Sequence, residues 1–179
     1  MVYILLAPGF EDAEALVPAD LLRRAGIETA LTALEGEWVE SGHGISVKAD
    51  RTLAEVSLEQ GDMIMLPGGA DGYRNLGKSA AVETLVKDAV RQNIWVAAIC
   101  AAPTLLGRWG LLEGKQAVCY PGMEKKLEGA RVSEESVVRD GNIITSRGAG
   151  TSFDFALELI GVLAGEEKAA EIARSVCYR

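Results

Sequence analysis

The chain has 179 residues, a length that predicts one domain over residues 1–179, and its 49% hydrophobic and 25% charged content is ordinary for a soluble globular protein. Its 18 basic and 26 acidic residues give a net charge of −8, which argues against nucleic acid and anionic membrane surfaces as partners. Three widely spaced cysteines and one histidine indicate neither a disulfide framework nor a zinc site, so we expect a cytoplasmic protein without a metal or cofactor.

The first third of the chain predicts a strand–helix–strand unit followed by a hairpin. The apolar run from Val2 to Ala7 is too short for a signal peptide and reads as a strand that ends at Pro8-Gly9. Residues 11–25 have helical spacing with acids in the first turn, and residues 28–34 alternate as a second strand. The turn at residues 41–44 predicts a small hairpin that stands off the main sheet.

Strands and helices continue to alternate through the rest of the chain. Met63 to Leu66 is predicted as a strand ending at Pro67-Gly68-Gly69, and an amphipathic helix over residues 80–92 leads to a buried strand over residues 94–99. The later predicted elements are strands at 116–119, 136–139 and 142–145 and helices at 153–163 and 166–176, whereas residues 53–60 are ambiguous. This order predicts an α/β fold with a doubly wound, mostly parallel sheet covered by helices on both faces.

Cys100 lies where the buried strand meets the next predicted helix. Ala101, Ala102 and Pro103 open that helix, and their small side chains suit a sharp turn. The pattern resembles the nucleophile elbow of hydrolases with Cys in place of Ser. A helix N-terminus and unpaired backbone N–H groups favour the thiolate, while the alternative is a buried cysteine that acts as a small hydrophobe.

Three strand ends carry unusual turns, and in a doubly wound sheet such ends meet in one place. They are Pro8-Gly9 shortly before Glu14, Pro67-Gly68-Gly69, and Cys100. Ligand sites in open α/β sheets lie beyond the carboxyl ends of the strands. The sequence therefore predicts one site at this edge.

Four segments in this order and spacing resemble the ThiJ/PfpI superfamily: LLAPGFEDAEALVPADLLRRAGI, LPGG, AAICAAPTLL and TSRGAGTSFDFAL. Within it, the chain is similar to the branch of the parkinsonism-associated protein deglycase, a glutathione-independent glyoxalase, and its bacterial relatives. The resemblance covers nearly the whole chain. It implies a flavodoxin-like sandwich that forms a homodimer and carries a reactive cysteine at the elbow.

The resemblance also implies roles for individual residues. The reactive cysteine matches Cys100, its acidic partner matches Glu14, and Glu11 matches a second acid of the same segment. Backbone N–H groups of Gly69 and Ala101 would be the oxyanion donors. A carboxyl close to a thiolate has a raised pKa and can stay protonated as a donor or shuttle, whereas composition alone would favour a solvated first-turn acid at position 14.

Supporting positions include departures from the family pattern. Gly68 and Gly69 have two compatible interpretations, a tight turn needing positive φ and donor placement, and Arg147 holds either a loop or an anionic group. Tyr120 stands where family members often have a histidine before proline, so activation of Cys100 would depend on the turn, the helix dipole and Glu14. Ala101 stands where protease-type relatives have a histidine, which argues against proteolytic and amidotransferase activity.

Two positions are candidates for approaching the partner subunit's site in a dimer. His43 matches an arginine that does so in family dimers, with an exposed turn histidine as the alternative interpretation, and Arg24 is the second candidate. Ala149 replaces a proline that is usual in its loop.

Three functional hypotheses follow. The first is a cofactor-independent glyoxalase or deglycase that acts on small 2-oxoaldehydes, or on glycated protein or amino acids, through a Cys100 hemithioacetal with Glu14 as proton shuttle. The second is a redox sensor or stress chaperone in which Cys100 is oxidised without turnover. The third, a nucleotide- or flavin-binding module, is weaker because the chain has neither G-x-G-x-x-G nor a Walker pattern.

Overall fold

A computed structural model describes residues 1–178. The helices are α1 (Asp12–Arg24), α2 (Gly72–Leu76), α3 (Ala80–Arg91), α4 (Pro103–Arg108), α5 (Ser152–Ala164) and α6 (Glu166–Ser175). The strands are β1 (Val2–Leu6), β2 (Thr29–Ala33), β3 (Trp38–Glu40), β4 (Ser46–Lys48), β5 (Arg51–Thr52), β6 (Met63–Leu66), β7 (Trp95–Ile99), β8 (Gln116–Ala117), β9 (Arg131–Val132), β10 (Val137–Asp140) and β11 (Ile143–Ser146).

Seven strands form the central sheet in the order β10-β11-β7-β6-β1-β2-β5. All neighbouring pairs are parallel except the β10–β11 hairpin, which turns at Asp140-Gly141 as the sequence predicts. The chain builds outward from β1 first through β2 and then, on the other side, through β6. This reversal makes β1 and β6 the switch point of a doubly wound sheet and confirms the predicted fold class.

The two faces of the sheet are covered by different helices. Alternate β1 residues point to opposite faces, so Val2 and Ile4 pack in one core while Tyr3 and Leu5 pack in the other. The first core is closed by α1, α5 and α6, and the second by α2, α3 and α4. Burial on both faces explains why the central strands are continuous apolar runs without polar alternation.

The predicted hairpin is present as the antiparallel pair β3–β4, outside the central sheet. The predicted strand at 116–119 is only the two residues of β8, which pairs with β9 in a separate small sheet. It stops there because the Val118 N–H donates to the Thr145 hydroxyl at 3.0 Å instead of a strand carbonyl. The ambiguous segment 53–60 begins with a 3-10 turn over Leu53–Glu55. The Thr52 N–H caps this turn by donating to the Glu55 carboxylate at 2.7 Å.

Helix α2 was not predicted from the sequence. It is five residues long and begins at Gly72, shortly after the Pro67-Gly68-Gly69 turn, so it shows no full helical period of apolar residues. Across residues 1–178, none of the helices has both the length and the apolar character needed to cross a bilayer.

Candidate active site

Cys100 sits in a strained turn at the carboxyl end of β7. Its φ of 66° lies in the left-handed region that side chains other than glycine rarely adopt. Two backbone hydrogen bonds hold this conformation, from the Cys100 N–H to Ser146 O at 2.9 Å and from the Tyr120 N–H to Cys100 O at 2.7 Å. The nucleophile-elbow geometry is therefore present.

The helix after the elbow begins later than the sequence predicts. Residues 100–102 form a turn, and α4 starts at Pro103 with Ala102 as its N-terminal flanking residue. The Ala102 N–H donates to Ile99 O at 3.1 Å, so the turn closes on the end of β7. Cys100 is thus separated from a helix of only six residues, which weakens the predicted dipole effect on its sulfur.

Glu14 is a buried carboxyl that faces the elbow from the first turns of α1. Only 1% of the residue is exposed, and its Oε2 accepts a hydrogen bond from the Gly68 N–H at 2.8 Å. Burial raises the pKa of Glu14 to about 7, although hydrogen bonds from the Cys100 thiol and the Gly68 N–H oppose that rise. The interpretation of Glu14 as a solvated first-turn acid is wrong.

The Cys100 thiol is hydrogen-bonded to Glu14 and keeps its proton while Glu14 is ionised. Burial, followed by the negative charge of Glu14 and the hydrogen bond to it, raises the pKa of Cys100 to about 12. The backbone N–H groups of Ala101 and Gly69 face the sulfur and act in the opposite direction. The expectation that the turn and dipole would favour a thiolate is therefore corrected, because desolvation and the carboxylate outweigh the backbone donors.

Two adjacent glycines allow this close packing for different reasons. A Cβ on Gly68 would lie 2.6 Å from Glu14 Oε2 and 2.7 Å from Cys100 Cβ, between the carboxyl and the thiol. Gly69 has a φ of 91°, and a Cβ there would overlap the Gly9 carbonyl. The predicted positive φ thus applies to Gly69, while Gly68 is required by the close approach of the two reactive side chains.

The thiol opens into a cleft of about 500 Å³. Glu11, Gly69, Ala101 and Tyr120 line it together with Cys100, so five of the predicted site residues share one cavity. Tyr120 is half exposed at its edge. A larger cleft of about 690 Å³ lies beside the hairpin and contains no thiol, so the smaller cleft is the candidate active site.

His43 belongs to the turn between β3 and β4, and its ring packs against two acids at the N-terminus of α1. Its Nδ1 is 2.7 Å from Asp12 Oδ2 and 3.8 Å from Glu11 Oε1. The hydrogen bond to Asp12 and the charges of both acids raise the pKa of His43. Asp12 was not singled out from the sequence, because its contact with His43 crosses from α1 to the hairpin.

The two predicted arginines lie outside the cleft. Arg147 donates to the Glu134 carbonyl at 3.4 Å, which favours the loop-holding interpretation over an anion site. Arg24 pairs with Asp20 one turn earlier on α1 at 2.9 Å. Neither contacts Cys100 within this chain, and the approach of His43 and Arg24 to a partner's site stays a prediction.

Sequence reasoning singled out Ala149 only as a replacement for proline, without a contact to the reactive pair, and it missed further residues of the cleft. The backbone N–H of Ala149 hydrogen-bonds to Glu14, a donor that a proline at this position would lack. Tyr73, Arg74 and Lys126 also line the cleft. The first two belong to the unpredicted helix α2, and Lys126 belongs to a 3-10 turn over Glu124–Lys126, so no periodic pattern marked them.

Substitution of Gly68 by alanine tests the packing of the pair. We expect Gly68→Ala to displace the thiol from the carboxyl and to change the rate of Cys100 alkylation by iodoacetamide by about tenfold, the factor equivalent to about 1.4 kcal/mol. Peptide mass spectrometry would measure alkylation at Cys100. Gly150→Ala is the matched control, since a Cβ there meets nothing within 4 Å. Equal rates in wild type and both variants would contradict the packing argument.

Comparisons with known proteins identify the family of this chain. Residues 1–161 match the DJ-1/PfpI family. Protein dj-1beta of Drosophila melanogaster is 40% identical over 176 residues, covering 97% of this chain and 94% of that protein. Glutathione-independent glyoxalase DJR-1.2 of Caenorhabditis elegans is 32% identical, with the same two coverages of 97% and 94%. A solved structure of oxidized Toxoplasma gondii DJ-1 superposes with a TM-score of 0.92 at 35% identity, covering 99% of this chain and 97% of that one. The chain therefore belongs to the DJ-1/PfpI family.

Proposed function

We propose that the protein is a glutathione-independent glyoxalase that converts small 2-oxoaldehydes such as methylglyoxal and glyoxal to 2-hydroxy acids. The carrying observation is the Cys100 thiol hydrogen-bonded to a buried carboxyl whose pKa is about 7. A general base is most effective when its pKa lies near the working pH. The relative from Caenorhabditis elegans that is named a glutathione-independent glyoxalase supports the same reaction class.

In the first step, Glu14 accepts the thiol proton while sulfur attacks the aldehyde carbon. A C–S bond forms, and the π electron pair of the carbonyl moves to its oxygen. The backbone N–H groups of Gly69 and Ala101 face the sulfur, and in this proposal they stabilise that oxyanion. Protonated Glu14 then gives its proton to the oxygen, which produces a hemithioacetal and restores the carboxylate.

In the second step, the Glu14 carboxylate removes the proton from C1 of the hemithioacetal and returns it to C2. The proton of the C1 hydroxyl moves to the C2 oxygen in the same step. C1 is thereby oxidised to a thioester and C2 is reduced to an alcohol, so no external electron acceptor is needed. Water then cleaves the thioester, which releases the 2-hydroxy acid and regenerates the Cys100 thiol. The overall change is addition of one water to the 2-oxoaldehyde.

The same addition chemistry accounts for a deglycase activity on glycated proteins or amino acids. An early glycation adduct releases free 2-oxoaldehyde reversibly, and its consumption by Cys100 drains the adduct. We propose a homodimer as the working form, in which His43 and Arg24 are the candidates for contact with the partner's site.

Lactate formation from methylglyoxal without glutathione is the primary test. We expect the wild type to form lactate and Cys100→Ser to lose at least 100-fold in kcat/KM, in line with the effect of removing a nucleophile. Chiral chromatography would measure lactate. Cys177→Ser, which removes an exposed cysteine that does not line the cleft, is the matched control. Lactate formation by Cys100→Ser at the wild-type rate would overturn the proposal.

The pH dependence tests the role of Glu14. Because Glu14 must be ionised to accept the thiol proton and its pKa is about 7, kcat/KM should rise about tenfold per pH unit below 7 and level off above it. Glu14→Gln should lower kcat/KM by about 10²–10⁴-fold and abolish this inflection. Steady-state kinetics from pH 5.5 to 9 would record both, with circular dichroism at each pH as the control for folding. An unchanged profile in Glu14→Gln would remove Glu14 from the mechanism.

A redox-sensor function is the second candidate, and the contacts of the sulfur favour it specifically. Protonated Glu14 and the N–H groups of Gly69 and Ala101 can donate to the oxygens of an oxidised Cys100. Because Cys100 is partly exposed and Glu14 can take its proton, mild peroxide should add oxygen to Cys100 but not to buried Cys119, as measured by peptide mass spectrometry. Equal oxidation of Cys100 and Cys119 would contradict the redox-sensor function.

A further inference from the structure

Two cations line the Cys100 cleft. Arg74 projects from α2, and Lys126 projects from the 3-10 turn Glu124–Lys126. The remaining lining is small, aromatic or apolar apart from one acid, Glu11. The lining therefore presents two positive charges and one negative charge on a protein whose net charge is −8.

Both cations are free to take a ligand. Arg74 forms an ion pair with Asp71 at 3.2 Å and lies over the Tyr73 ring at 5.7 Å. Because the side chains of Arg74 and Asp71 are 58% and 76% exposed, this ion pair is readily exchanged for a better acceptor. The Lys126 ammonium makes no ion pair or hydrogen bond with any side chain or carbonyl of residues 1–178. Guanidinium and ammonium groups are the usual partners of carboxylates and phosphates in binding sites.

The cleft is also larger than methylglyoxal requires. Cavities of about 300–1,000 Å³ usually enclose drug-sized ligands, and this one has about 500 Å³. A three-carbon aldehyde bound to Cys100 would leave most of the cleft to water. The unused space leaves room for a further group of the ligand to reach Arg74 and Lys126, which line the same cleft.

We propose that the preferred substrates are 2-oxoaldehydes that carry a carboxylate or a phosphate, with the carbonyl at Cys100 and the anion against Arg74 and Lys126. This inference rests on the proposed glyoxalase function and names its substrate class. Glu11, the one acid in the lining, disfavours an anion beside itself, so the charges of the lining favour a pose with the anion near Arg74 and Lys126. The anionic group takes no part in the chemistry, which remains the transfer of hydrogen from C1 to C2 and the addition of water.

Matched substrates test the proposal. 4,5-Dioxopentanoate carries a carboxylate, 2-oxo-3-phosphooxypropanal carries a phosphate, and 2-oxopentanal is a neutral aldehyde of similar length. We expect kcat/KM to be at least tenfold higher for one or both anionic aldehydes than for 2-oxopentanal. The more active anion then identifies the natural group as carboxylate or phosphate.

Variants assign the preference to the two cations. Arg74→Gln combined with Lys126→Gln should lower the ratio of kcat/KM for the anionic over the neutral aldehyde by about tenfold or more. Lys125→Gln removes the neighbouring charge of the same turn, which does not line the cleft, and should leave the ratio unchanged. Equal turnover of anionic and neutral aldehydes, or a ratio that the double variant does not change, would overturn the anion proposal and leave the glyoxalase function intact.

A binding assay separates this proposal from the activity itself. 4-Oxopentanoate lacks the aldehyde and should slow alkylation of Cys100 by iodoacetamide at concentrations where neutral 2-pentanone does not. The Arg74→Gln, Lys126→Gln double variant should lose this protection. If the wild type turns over no 2-oxoaldehyde but shows the protection, the glyoxalase proposal fails and the anion subsite stands. If 4-oxopentanoate and 2-pentanone protect equally, the anion subsite fails.

Discussion

The proton held between Glu14 and Cys100 is the constraint on which the candidate chemistry depends. Both groups are removed from water, and desolvation penalises the charged form of each. One negative charge on the pair is tolerated, because the Gly68 N–H serves the carboxyl while the N–H groups of Gly69 and Ala101 serve the sulfur. Two negative charges are strongly disfavoured. The pair therefore titrates as a unit, and the thiol becomes a nucleophile only as its proton moves to the carboxyl.

The fold imposes this pairing through backbone geometry more than through side-chain flexibility. Glu14 is carried by a helix packed on β1, and Cys100 is fixed at positive φ at the end of β7. Between them, β6 ends in a Gly-Gly turn where the lack of a Cβ on Gly68 sets the spacing of the reactive groups. Three neighbouring parallel strands thus deliver three parts of the site to one edge of the sheet. A change at any of these turns would alter the distance over which the proton moves.

The sequence predicted features that leave a local pattern. Hydrophobic periodicity marked the main strands and helices, and the Pro-Gly and Cys-Ala-Ala-Pro turns marked the edge where the site lies. It could not predict desolvation, because the burial of Glu14 depends on segments far apart in the chain. For that reason the raised pKa of the Cys100 thiol emerged only from the structure. The same is true of the different reasons for the two glycines, close packing at Gly68 and positive φ at Gly69. Arg74 and Lys126 could not be predicted as cleft residues, because the short helix and the 3-10 turn that contain them show no hydrophobic periodicity.

The tyrosine at position 120 bears directly on the proposed mechanism. With no imidazole at this position, Glu14 would be the base of the proposed reaction, and a solvated glutamate would be too weak a base for that task. Burial brings its pKa to about 7, yet the same burial keeps the thiol protonated at rest. In the proposed reaction, these two effects of burial are reconciled in the transition state. As the C–S bond forms, negative charge leaves the sulfur and develops on the carbonyl oxygen, beside the backbone donors of Gly69 and Ala101. A resting thiol with a high pKa is therefore compatible with catalysis, because the site stabilises the charge after it has moved to the substrate.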